Sequence, residues 1–242
     1  MSDIVQGLDR VRARLATALS NAGRAASAAR LIAVSKFQPA SAIRTAYAAG
    51  QRDFGENYVQ ELQEKAAELS DLSDLRWHMI GHLQRNKARA VAPLASLIHT
   101  VHSVDLVHEL DKRATTVSLE GARAFVAGEP RLSVLVEVNV GGEAQKSGCA
   151  PEALSDVLSA LAEAQHVHLA GLMCVPPHTE DPSDARPYFD KLVRLRELHG
   201  GAARLPELSM GMTADLEHAV AAGATIVRVG TAIFGERPKA GV

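Results

Sequence analysis

Short apolar runs alternate with amphipathic stretches along nearly the whole chain, and that rhythm sets the first expectation. The runs at 31–34, 53–55, 76–80, 98–104, 132–140, 168–174, 207–210 and 226–229, several of them rich in Val, Ile and Leu, read as strands. Between them, helical spacing predicts helices over 40–49, 59–69, 87–92, 106–127, 151–164, 185–198 and 215–222, with a further helix over about 4–29 ahead of the first strand. Gly50 and Gly223, each after an alanine-rich run, stand where helix C-caps stand. A βαβα order that never pauses for a long linker describes a parallel sheet wrapped in helices, and about eight strands close an α/β fold of the (β/α)8 TIM-barrel type. The extra N-terminal helix is expected to cover the barrel surface that a helix after the last strand would otherwise cover, all within one domain.

Composition then narrows the function classes. The 242 residues suffice for a full barrel core, and 47% apolar with 22% charged residues is ordinary for a globular chain. A formal charge of −2 offers no bulk attraction to nucleic acid or an anionic bilayer, and no apolar run is long enough to span one. Cys149 and Cys174 lack metal or redox spacing, so free thiols in a reducing cytoplasm are expected. His78 with His82, and His166 with His168, are spaced like metal ligands, but Gly81 interrupts the first pair and neither pair has a third ligand in view. Arg85, Lys87 and Arg89 read as a solvated helix start.

The chemically versatile residues collect at the carboxyl ends of the expected strands, the face on which barrels carry their sites. Lys36 follows the first strand and Asn57 the second; His78 lies in the third, Asn139 near the end of the fifth and Met173 near that of the sixth. A lysine held at a strand end with little water around it loses part of its ammonium hydration, and its neutral amine can condense with an aldehyde to a Schiff base. The bland alternative is a surface lysine in a loop. Ser209-Met210-Gly211-Met212-Thr213 and Gly230-Thr231-Ala232 combine hydroxyls with glycines whose bare backbone lets an oxyanion approach. They follow the seventh and eighth expected strands, where barrels commonly hold phosphate. Turn formation is the competing reading for each segment by itself.

Eight segments carry a family resemblance: Ala33–Lys36, Phe54–Glu61, Trp77–Lys87, Val138–Val140 with Lys146–Gly148, Gly171–Met173, Leu208–Asp215 and Arg228–Gly235. Through them the chain resembles, almost end to end, the pyridoxal-phosphate-binding homeostasis proteins, related in fold to the barrel domain of alanine racemase. The resemblance implies pyridoxal 5′-phosphate held as a Schiff base on Lys36, with Ser209, Gly211, Thr213, Gly230 and Thr231 around the phosphate and Arg228 facing the pyridine nitrogen. Thr213 stands where the family more often shows Ser, and Met79 where Phe is usual; both changes keep the chemistry. Asn57 and Asn139 offer donors and acceptors to the cofactor or cap strand ends, and the sequence leaves both readings open. His78 either stacks by the ring or satisfies a core bond, and Met173 would wall the cofactor. Glu143 and Lys146 read as a solvated ion pair.

A guanidinium only donates, so Arg228 would leave the ring nitrogen neutral and weaken the ring as an electron sink. Alanine racemase resembles this arrangement but takes a second base from an additional domain, which is not expected here. The expected function is buffering of the cofactor and its delivery to apo pyridoxal-phosphate enzymes by a monomer, without robust turnover. A weak amino-acid racemase, with Tyr58 as opposing acid, is the alternative. A sugar-phosphate barrel is a third reading, sharing the phosphate loops without needing Lys36.

Overall fold

The computed structural model describes residues 3–115, 124–143 and 145–235, and its eight parallel strands form a closed barrel. In chain order they are β1 (Arg30–Val34), β2 (Asp53–Glu56), β3 (Arg76–Met79), β4 (Ala95–Val101), β5 (Leu132–Glu137), β6 (Val167–Met173), β7 (Glu207–Ser209) and β8 (Ile226–Val229). Each pairs with the next, and β1 closes on β8 with Arg30 opposite Ile226 and Ala33 opposite Val229. The helices are α1 (Asp3–Asn21), α2 (Ala40–Ala48), α3 (Val59–Glu68), α4 (Ala88–Val91), α5 (Val104–Ala114), α6 (Leu154–Glu163), α7 (Arg186–Leu198), α8 (Gly201–Arg204), α9 (Leu216–Ala222) and α10 (Thr231–Phe234).

Alternation along the strands separates two apolar layers. Leu31 and Ala33 of β1 join the large cluster beneath the helices, whereas Ile32 joins a small one with Leu97, Leu135 and Ile226. The small cluster fills the lumen. Phe54, Trp77, Met79, Ile98, Leu208, Val227 and Val229 all lie in the outer cluster, so their strand neighbours Asp53, His78, His99, Ser209 and Arg228 face inward. A row of polar side chains thus runs beside the luminal apolar residues.

The expected element boundaries differ from the structure most at four places. β4 begins at Ala95 rather than 98 and ends at Val101, because Ser103 accepts from the Leu106 N–H and caps α5. β5 ends at Glu137, which leaves Asn139 in the following loop. The first helix stops at Asn21, well short of 29. The helix expected over 106–127 ends at Ala114; residues 116–123 lie outside the described residues, and Phe125 is buried against the lumen rather than carried on a helix. Gly223 caps α9 in the left-handed region with φ 109°, and Gly50 follows the end of α2 with φ 86°, as read from the sequence.

The first helix occupies the position expected of it. It packs against α9, α10 and α2, across the β1–β8 side of the barrel. Its approach to α10 depends on Gly7, where a Cβ would lie 2.7 Å from the Ile233 carbonyl oxygen and 2.8 Å from that of Ala232. Those contacts are backbone and cannot swing aside. Gly7→Ala is therefore expected to lower stability to urea by a net ~1–2 kcal/mol, even though alanine brings about 1 kcal/mol of helix propensity. An unchanged or raised midpoint would mean that α1 seats less tightly than this.

Candidate functional site

A cavity of about 450 Å³ opens at the carboxyl ends of the strands. Lys36 and Gln38 enter it from beyond β1, Asn57 from beyond β2, Arg228 from β8, and Gly230 and Thr231 from the start of α10. Met212, Thr213 and Ala214 close it from the loop after β7, with Val34, Ile80, Val175 and Phe234 as apolar wall.

The backbone on either side of Lys36 is clamped. Ser35 donates from Oγ to Glu56 Oε1 at 2.7 Å, and its carbonyl accepts from Lys65 Nζ at 2.8 Å. Phe37 has a φ of 63°, unusual for a bulky residue, and its N–H donates to Glu61 Oε2 at 2.7 Å. Lys65 binds both carboxylates, 2.8 Å from Glu56 Oε1 and 2.7 Å from Glu61 Oε2. Glu56 is fully buried; burial pushes its carboxyl up, with Lys65 and Ser35 pulling back. Removing one member of such a buried pair typically costs ~3–5 kcal/mol. Lys36 is thereby set on a fixed stalk.

The opposite wall has the donors an oxyanion needs. Thr213 and Thr231 bring hydroxyls, and α10 begins at the cavity, where the first amides of a helix have no carbonyl one turn back. Asp215 Oδ1 accepts the Met212 N–H at 2.6 Å and shapes the loop, while Arg14 of α1 donates to the Thr213 carbonyl at 3.1 Å and pairs with Glu217 at 2.9 Å. This wall, the Lys36 amine and the Arg228 guanidinium fit a phosphorylated aldehyde that carries a ring acceptor.

Five residues expected at the site lie outside the cavity lining. In place of a phosphate contact, Ser209 is fully buried in the lumen, accepts from Arg228 Nη1 at 2.6 Å and pairs with His99 Nδ1 at 2.9 Å. Gly211 sits behind the wall with φ 94°, its carbonyl accepting the Arg228 N–H at 3.0 Å. His78 satisfies core bonds to Asp53 and His99. Asn139 donates to the Glu143 carbonyl at 2.8 Å and so shapes its own loop. Met173 belongs to the luminal apolar cluster. The half-buried Lys146, paired with Glu143 at 2.6 Å, also donates to the Pro176 carbonyl and ties the loop after β5 to the one after β6. Among the described residues no group of three or more metal-ligating side chains occurs.

A family model described as alanine racemase, N-terminal domain, matches residues 7–238. A pyridoxal phosphate homeostasis protein of Pseudomonas aeruginosa is 43% identical over 238 residues, 98% of this chain and 97% of that protein. One of Aquifex aeolicus is 43% identical over 95% of this chain and 96% of its own length. The chain belongs to the pyridoxal phosphate homeostasis protein family. Of its solved relatives, PipY of Synechococcus elongatus with pyridoxal phosphate bound is 38% identical, covers 96% of this chain and 100% of that one, and superposes with a TM-score of 0.76. Alanine racemase from Corynebacterium glutamicum, at 19% identity and a TM-score of 0.64 over 97% of this chain and 63% of that one, shares the barrel fold.

Within this homeostasis-family barrel, Glu137 is a site neighbour the sequence reading did not single out. It ends β5 facing the lumen, with Oε2 buried and without a partner among the described residues. Burial pushes its carboxyl up to about 7, with Arg228 pulling it partly back. The folded chain therefore keeps this proton where the unfolded chain, near the ordinary 4.5, has lost it, and the residue costs stability that grows from about pH 4.5 to 7 and is constant above. Glu137→Gln is expected to leave the urea midpoint nearly unchanged below that window and to raise stability above it by on the order of 2–3 kcal/mol. Parallel pH profiles for the two proteins would show the carboxyl to be hydrated instead.

Proposed function

We propose that this chain binds pyridoxal 5′-phosphate, carries it on Lys36 and serves intracellular cofactor homeostasis by holding it and releasing it to apo pyridoxal-phosphate enzymes. The observation that carries this reading is the make-up of the cavity lining. Among the described residues, Lys36 is the one amine in the lining, and the other charged side chain there is Arg228 rather than a carboxylate. Support also comes from the relative solved with the cofactor bound.

When bound, the cofactor supplies an aldehyde and a ring that can withdraw electrons. Lys36 Nζ, as the neutral amine, would be the group that holds the aldehyde. Thr213 and Thr231 would hold the phosphate, and Arg228, which can only donate, would leave the ring nitrogen as an acceptor and unprotonated. The ring is then a poor sink for a carbanion. Stereochemical inversion also needs a second proton carrier on the face opposite Lys36. Tyr58, directly after Asn57, is 50% exposed, meets Phe37 in a tilted ring contact with centroids 5.3 Å apart and lies outside the cavity lining. Holding and release is what these groups can do.

Borohydride reduction of the loaded protein followed by peptide mapping is expected to fix the pyridoxyl mass on Lys36, and a label elsewhere or none would defeat the assignment. Loaded protein mixed with an apo pyridoxal-phosphate enzyme should restore that enzyme's activity, while L-alanine in deuterium oxide should show no exchange above the free-cofactor background. Sustained racemisation lost in Tyr58→Phe, with no transfer, would make the chain a small racemase. Thr231→Ala removes one charge-assisted hydrogen bond worth ~1.5–3 kcal/mol, so cofactor affinity should fall by about one to two decades at unchanged thermal stability. Unchanged affinity with lowered stability would reduce this loop to a turn.

A further inference from the structure

Arg228 does not stand alone at the bottom of the cavity. It begins a row of buried hydrogen bonds that crosses the lumen to the far end of the barrel. Its Nη1 donates to Ser209 Oγ at 2.6 Å; Ser209 Oγ lies 2.9 Å from His99 Nδ1, His99 Nε2 3.1 Å from His78 Nδ1, and His78 Nε2 2.9 Å from Asp53 Oδ1. Asp53 is held in turn by Arg76, at 2.7 Å and 2.8 Å. Ser209, His78 and His99 have no exposed surface, and Phe125 stands edge-on to His78 with Arg30 over its other side, closing the lower end. The step from β7 to β4 joins strands that are not neighbours in the sheet.

Hydrogen-bond chemistry gives this row one direction. A guanidinium has no acceptor, so Ser209 Oγ accepts from Arg228, and its one proton is free to go to His99 Nδ1 once the far end requires that nitrogen to accept. His99 then carries its proton on Nε2 and donates to His78 Nδ1, and His78 donates from Nε2 to Asp53. The far end agrees. Burial alone would push the Asp53 carboxyl up, but bonds from Arg76 and His78 hold it well below the usual range, so it is a carboxylate and can only accept. Burial also keeps both imidazoles neutral: His99 lies well below its ordinary value with His78 and Arg228 adding to the effect, and His78 is lowered although Asp53 opposes this.

We propose that Asp53, His78 and His99 are positioning residues that act through Ser209 to lock the Arg228 guanidinium into one orientation at the cavity floor. The second anchor is the Cys174 carbonyl, which accepts from Arg228 Nη2 at 3.0 Å. With both terminal nitrogens held, the side chain cannot turn away from the ring acceptor it is to meet, a role that rests on the cofactor reading above. None of the three touches the cavity lining.

Nitrogen-15 NMR of the ligand-free protein tests the direction. Both buried histidines are expected as Nε2–H tautomers that do not titrate where imidazole ordinarily does. An Nδ1–H tautomer, or titration of either ring, overturns the proposal. The link to Arg228 is tested by a double-mutant cycle on pyridoxal phosphate affinity. His99→Phe keeps a ring in place but no acceptor, and should weaken binding roughly tenfold in the parent and leave it unchanged in an Arg228→Leu background. Equal losses in both backgrounds would make His99 a packing residue and sink the idea. Ser209→Ala, a smaller change that severs the same row, serves in the same cycle should His99→Phe not fold. If the parent protein does not bind the cofactor at all, the function reading fails, while the tautomers still decide the direction of the row.

Discussion

The hydrogen-bonded seam between β1 and β8 is the constraint on which the site depends. It sets the start of the chain against its end, so Lys36, just beyond one strand, faces Arg228, Gly230 and Thr231 at the end of the other. The fit is close: a Cβ on Gly230 would lie 3.1 Å from the Val34 carbonyl oxygen. Register here is not adjustable. A slip of one residue would exchange the two faces of β8, sending Arg228 into the apolar layer under the helices and its neighbours Val227 and Val229 into the polar lumen row.

Around that seam the barrel manages an unusual load of buried charge by giving each group a different solution. Lys65 is spread over a carbonyl and two carboxylates, and its position ties β1, β2 and α3 into one block beneath Lys36. Asp53 keeps its charge through Arg76, whereas Glu137, with no such donor among the described residues, has its carboxyl pushed up by burial. The left-handed Phe37 is a local strain on the order of 1–2 kcal/mol, offset by its amide bond to Glu61. The lysine stalk and the arginine floor are thus each rigid for separate reasons.

The sequence made the architecture readable because strand and helix periods alternate cleanly and the loops are short. Lys36, Asn57, Thr213, Arg228, Gly230 and Thr231 were legible as a set because they share strand ends, and a barrel collects strand ends on one face. Ser209 was misplaced for a reason built into β structure: a hydroxyl one residue before a loop reads like a loop donor, yet strand parity turns it into the lumen. His99 and Asp53 escaped notice since alternation tells inside from outside only once the partner layer is known. The boundary of β4 was lost because His102-Ser103-Val104 continues the apolar rhythm, while Ser103 in fact caps the next helix. Arg14 and Gly7 could not be read at all, their roles arising from contacts of α1 with the Thr213 loop and α9 and with α10, far along the chain.

That contact between α1 and the α9–α10 region has a consequence for the order of events on the ribosome. The α1 helix emerges well before the segments that carry its docking surface, and Arg14 waits for the loop at Thr213 and for Glu217. Native pairing of β1 with β8 waits likewise, so the contacts that complete the barrel are those of greatest separation along the chain, a topology that folds slowly. A nascent chain therefore exposes Lys36 long before Thr213, Arg228, Gly230 and Thr231 are there to complete the cavity around it. The cavity belongs to the closed barrel, and a product stalled before β7 has Lys36 without the opposite wall.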